Sequence, residues 1–172
     1  MQRELYADLI NLLIKADVYV EPDLSTVTKG IHPLTAKFIL EDGMLFSALE
    51  LSYVPDNSRR RWFTYYRIPE QYQGKGKREL VERGYNNYIS FLKQFVQSGG
   101  KLVIASDAQH FVPPGISIHQ EMELLVREVG LSPMQAIERA TKRPAEFLGH
   151  LQDSGTIEYE VLPNVRTIIQ PE

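Results

Sequence analysis

An apolar run that ends in a carboxylate, Leu102-Val103-Ile104-Ala105-Ser106-Asp107, restricts the folds open to this chain more than any other stretch. A segment apolar on both faces belongs to a parallel sheet covered by helices. Parallel strands need long crossovers, and folds built from them bind ligands at the carboxyl ends of the strands. Asp107 falls at that end. The pattern leaves two readings of it: an acid presented to a ligand, or a residue that starts a turn or caps the next element.

The surrounding sequence supplies the crossover. Leu5, Leu9, Leu12, Leu13 and Ala16 recur on one helical face, which predicts an amphipathic helix over 2–15. Val18-Tyr19-Val20 reads as a short strand, stopped near Glu21 because Pro22 cannot continue a central ladder. Leu80, Val81, Gly84, Tyr88, Phe91, Leu92, Phe95 and Val96 keep a helical period from Lys77 to Gln97, and Gly99-Gly100 stops it. Strand, long crossover, helix and strand make one βαβ unit, expected to be parallel and right-handed. Between them, 23–76 carries turn formers at Pro33, Gly43, Pro55-Asp56-Asn57-Ser58, Pro69 and Gly74-Lys75-Gly76. One helix near Leu34–Glu41 is expected there, within a loop-rich insertion or a lid at the mouth of a site.

After Asp107, Pro113-Pro114-Gly115 marks a loop, and Ser117 with Gln120 reads as a capping box opening a helix that closes at Gly130. Ser132-Pro133-Met134-Gln135 repeats the start signal for a helix over 133–142. Pro144 ends it, and a short turn Ala145–Leu148 stops at Gly149. The tail from Gly155 to Ile169 suggests a small hairpin.

With 172 residues and a net charge of −3, the chain suits one domain and lacks the basic face that nucleic acid or an anionic membrane would require. Without cysteine it has no disulfide, thiolate metal site or cysteine nucleophile. Glu4, Asp8 and Lys15 interrupt the leucine-rich start, which is therefore neither a signal-peptide core nor a membrane span; location is open, cytoplasmic by default. His32, His110, His119 and His150 form no His-x-His or His-x-x-x-His pair. His110 shares the loop of Asp107 and His119 opens the next helix, so either can reach a ligand or stand behind a metal ligand, or be a surface residue. Arg59-Arg60-Arg61-Trp62-Phe63-Thr64-Tyr65-Tyr66-Arg67 mixes bases and aromatics as nucleic-acid sites do, but one such patch on an acidic chain reads better as a packed hairpin or lid. Gly74-Lys75-Gly76-Lys77 lacks phosphate-loop spacing, and no Gly-x-Ser-x-Gly elbow occurs.

Several of these pieces occur in an order that resembles the carboxyl-terminal barrel segment of the metal-dependent amidohydrolase superfamily, in its imidazolonepropionase-like and prolidase-like branch. Ile104-Ala105-Ser106-Asp107-Ala108 resembles the last barrel strand, and Pro114-Gly115-Ile116-Ser117-Ile118-His119-Gln120-Glu121-Met122-Glu123-Leu124-Leu125 the loop and helix after it. Gly130-Leu131-Ser132-Pro133-Met134-Gln135-Ala136-Ile137, with Ala140-Thr141 and Pro144-Ala145, is similar to the next helical signature. Val18-Tyr19-Val20-Glu21-Pro22-Asp23-Leu24-Ser25 is similar to the preceding strand.

The resemblance implies an α/β fold, a partial (β/α)8 TIM barrel: its last two β/α units over 1–150 with 23–76 inserted, then 151–172 as a tail or the start of a small β domain. It implies that Asp107 contacts a divalent metal, zinc in the complete enzyme, or its water, and shuttles a proton during hydrolysis of a carbon–nitrogen bond in a small amide-type substrate. His110 and His119 are the weaker site candidates. A full barrel takes roughly 250 residues, and the resemblance implies that the His-x-His strand, the bridging residue and two further histidine ligands lie outside this chain. A catalytic metal takes about three protein ligands, so no metal is expected to bind tightly to this chain alone, which is expected to be inactive. Unpaired strand edges predict self-association or a missing N-terminal polypeptide. A reading of another class is a non-catalytic α/β remnant that binds a ligand or a protein.

Overall fold

The computed structural model describes residues 6–28, 34–46, 49, 52, 54–64, 74–108 and 113–157. Its elements run α1 (Tyr6–Lys15), β1 (Tyr19–Val20), α2 (Leu24–Thr28), α3 (Thr35–Phe46), α4 (Asp56–Thr64), α5 (Lys75–Gln97), β2 (Lys101–Leu102), α6 (Ile116–Leu124), α7 (Pro133–Ala140) and α8 (Lys142–Phe147). The described fold is mixed α/β and mostly helical, around one pair of parallel strands.

The two strands meet as expected. Tyr19 stands opposite Lys101 and Val20 opposite Leu102, and the Val103 amide donates to the Val20 carbonyl at 3.0 Å. The ladder is shorter than the expected strand because the Ile104 amide donates to the Arg139 carbonyl at the end of α7. The chain from Val103 to Asp107 therefore leaves β1 while staying outside any helix.

α5 is the central packing element. Ile89, Phe91, Leu92 and Phe95 are buried, with Tyr6 and Ile10 of α1, Leu124 at the end of α6 and Leu125 just beyond it in the same core. Gly100 makes the turn from helix to strand possible at close quarters: a Cβ there would lie 2.5 Å from the Phe95 ring. Tyr6 and Phe91 pack edge to face at 5.7 Å, an arrangement favoured by the ring quadrupoles.

Four expectations are corrected. Residues 23–76 hold α2, α3 and α4 rather than one helix in a long loop. α3 continues through Gly43 because Phe38 and Asp42, four residues apart, share a buried face. α4 includes Arg59–Arg61, where a hairpin or lid was expected, and an Asp56–Arg59 ion pair spans its first turn. Pro144 lies inside α8, in its first turn where a missing N–H costs nothing, and Thr141 already separates α7 from α8. Ser117 and Gln120 do not form a capping box; Gly115, at φ 89°, stands at the start of α6 with no side-chain cap.

The capping box at Ser132 and Gln135 forms as expected, with Pro133 in the first turn. α6 runs into a π-helical turn over Leu125–Val129, closed by Gly130 at φ 89°. His32, His110, residues 65–73 and the expected hairpin after Ile157 lie outside the described residues. Among the described residues, no helix is long and apolar enough to cross a membrane.

Candidate functional site at the strand ends

β1 and β2 run in the same direction, so their carboxyl ends open on the same side. Beyond β1 come Glu21, Pro22 and Asp23; beyond β2 comes Asp107. Asp107 is exposed, with φ 45°. Aspartate tolerates this left-handed conformation better than most residues. Its backbone is left-handed and its carboxylate faces solvent. Asp23 also has positive φ, 47°, and its Oδ1 accepts from Thr26 Oγ1 at 3.0 Å.

These carboxylates act on one another. Desolvation, and then the negative charges of Asp23 and Asp107, hold Glu21 above the usual carboxylate range. The rim is therefore a region of negative potential that favours protons and cations.

The wall behind the rim is built from α5 and α6. Tyr88 of α5 donates its hydroxyl to the Pro22 carbonyl at 2.7 Å, fixing the turn after β1. Desolvation, with Glu121, Asp23 and Glu21 nearby, pushes this phenol up to about 12. Glu121 of α6 has no exposed surface, and its two oxygens accept from the Leu24 amide at 2.8 Å and the Ser25 amide at 2.6 Å. Burial raises it to about 7, against the opposing pull of its hydrogen bonds to Ser25 and Leu24.

Two further polar contacts pin α6. The Ser117 hydroxyl donates to the Ser106 hydroxyl at 2.9 Å, immediately before Asp107. Gln120 Nε2 donates to Asp42 Oδ1 at 2.9 Å, with both side chains buried. This is why the expected capping box is absent: both of its members are committed to tertiary partners. On the same helix His119 is exposed, and the described contacts do not bring it together with Asp107.

The sequence reading placed Asp107 at this end but missed Glu121, Gln120, Asp42, Glu21 and Asp23 as parts of its surroundings. One signal was available: Ser117, Gln120, Glu121 and Leu124 follow the i, i+3, i+4, i+7 spacing of a single helical face. Three of the four are polar, so a hydrophobic pattern passes over them.

The donor set tests whether this chain can hold a metal. Among the described residues, no three His, Cys, Asp or Glu side chains are grouped to do so. A separate groove of about 690 Å3 lies between α7, α8 and 154–157, lined by Met134, Ile137, Leu148 and Ile157 among others; Asp107 does not line it. Compared with protein-family models, curated proteins and solved structures, the chain matches none.

Proposed function

We propose that this chain is the closing segment of a metal-dependent amidohydrolase barrel, acting on carbon–nitrogen bonds of small amides once the remaining strands are supplied, and inactive alone. The observation that supports the reading is the parallel pairing of β1 with β2, with Glu21 and Asp23 just past β1 and Asp107 five residues past β2, near enough to Glu21 for their charges to interact. The carboxyl ends of such strands are where α/β barrels perform chemistry.

In this reading Asp107 is the proton shuttle. Its exposed carboxylate takes a proton from the attacking water and returns it to the departing nitrogen, the work of a general base that then acts as a general acid. A zinc ion in the complete enzyme would supply Lewis acidity; its other ligands belong to the strands that complete the barrel. Glu21 and Asp23 tune the potential at the mouth, and His110 and His119 are candidates for substrate contact.

The test is the metal content and amide hydrolysis of the purified chain, together with the coding sequence upstream of Met1. The expected result is less than stoichiometric zinc, no hydrolysis, and an upstream frame with a His-x-His strand. Stoichiometric zinc with hydrolysis by this chain alone would overturn the reading.

The second reading is a non-catalytic module that binds a ligand or protein. It is favoured by the groove along α7 and α8, whose lining includes Met134 and Leu148, 71% and 64% exposed. A chain that stays monomeric and inactive beside the upstream polypeptide, yet retains an apolar ligand, would favour it.

A further inference from the structure

We propose that the groove between α7, α8 and residues 154–157 binds a small amphiphile with a linear apolar body and a single anionic end, of the medium-chain carboxylate class. The inference rests on the ligand-binding reading of this groove and is independent of the hydrolase assignment of the rim. Its basis is how the walls are built. α7 turns its small residues to the core: Ala136 is buried and Ala140 packs against it. The larger Met134 and Ile137 are exposed on another face of the same helix, where they line the groove. Burial alone would select the reverse arrangement.

The third wall is held against α8. Gly155, at φ 92°, sits so close to it that a Cβ would lie 2.6 Å from the Ala145 Cβ and 3.0 Å from the Lys142 Cα. The Ser154 amide and hydroxyl both donate to the His150 carbonyl, at 3.0 and 3.1 Å. The groove is thus formed before an occupant arrives, and its volume of about 690 Å3 falls in the roughly 300–1,000 Å3 range of small-molecule sites. The eight residues of α7 make a wall about 12 Å long, which suits a medium-length tail.

Charge selects the other end of the ligand. Two charged side chains line the groove, Glu138 and Lys142. Glu138 is already paired, with Arg143 Nε 3.3 Å from its Oε1, and Arg143 also meets Glu146 at 2.8 Å. Lys142 is exposed and has no ion-pair partner among the described residues. An apolar trough with one available cation beside it complements an apolar body that carries one negative charge. A neutral chain would leave that cation unused, and a cationic one would be repelled by it.

NMR of the full chain labelled at its methionine methyls, titrated with decanoate and with decanol below their aggregation limits, tests this. Met134 reports on the groove; Met44 on α3, 75% exposed, is the control for indiscriminate contact with apolar surface. Decanoate should shift Met134 saturably, leave Met44 in place and bind about two- to fivefold tighter than decanol, the worth of one exposed ion pair. Lys142→Gln should abolish that preference without changing decanol binding. Ile137→Gln, at a half-exposed helix position, should weaken both compounds about tenfold. Equal binding of the two compounds to the wild type, or a preference that survives Lys142→Gln, would overturn the anionic class while leaving an apolar site. No saturable shift at Met134 with either compound, or an equal shift at Met44, would overturn the ligand-binding reading as well. A Met134 signal that responds to protein concentration and to neither compound would overturn the proposal by placing a second copy in the groove.

Discussion

α6 and the α7–α8 pair treat polarity in opposite ways. α6 turns Ser117, Gln120 and Glu121 inward, each at most 1% exposed, and gives every one a partner from another part of the fold. α7 and α8, with the residue that follows, leave Met134, Ile137, Phe147 and Leu148 about half exposed or more. Buried polar groups cost folding free energy unless they are matched, so a face that collects them reports a requirement other than stability. Apolar groups that share one exposed surface leave room for a ligand or a partner to dock. The first face supports the rim at Asp107; the second is the groove.

The largest effect should separate the two faces outright. Leu124→Ala on α6 should destabilise the chain by about 2–5 kcal/mol, because the side chain is fully buried, whereas Leu148→Ala should stay within about 0.5 kcal/mol. Urea denaturation measures both, and similar losses would erase the distinction. Next comes pH. The folded-state value of Glu121 is raised from 4.5 to about 7, so its contribution to stability is greatest below pH 4.5 and falls as pH rises to about 7. The loss is about 3 kcal/mol across that window. It should be absent from Glu121→Gln, so the difference between the two proteins isolates it from other carboxylates.

A smaller loss, about 1–3 kcal/mol, is expected for Gln120→Leu, which fits the helix but removes the hydrogen bond to buried Asp42. A neutral result would mean that the polar face of α6 is less committed than its geometry indicates. Least affected in stability should be Leu148→Lys, within about 0.5 kcal/mol at this exposed position. Its readout is retention of an apolar ligand: binding at the α7–α8 groove should weaken, and unchanged retention would place such a site elsewhere.

The parts of the fold that were legible in the sequence depend on local information. The end of α5 follows from helical period plus Gly99-Gly100, and the close approach of Gly100 to Phe95 shows why a glycine stands there. The start of α7 follows from Ser132, Pro133 and Gln135, whose bonds span three residues. α4 was not legible, because Arg59-Arg60-Arg61 presents no apolar stripe and the stabilising Asp56 pair is a matter of side-chain reach. In the site, Asp107 could be located because a strand end has a sequence signature. Glu121 could not, since its partners are nearly a hundred residues away and a glutamate between Gln120 and Met122 looks like any solvated helix position. The same limit explains the mistaken capping box: Ser117 and Gln120 have the right spacing, but Ser106 and Asp42 take both side chains.

The central claim is that Asp107 is the acid–base group of a barrel that this chain completes. The most direct measurement combines the chain with the polypeptide encoded upstream and follows hydrolysis of small amides with zinc present, using the wild type and Asp107→Asn. The account predicts activity only in the mixture, reduced about 10²–10⁴-fold by Asp107→Asn without loss of assembly. Hydrolysis that is indifferent to Asp107→Asn would contradict it.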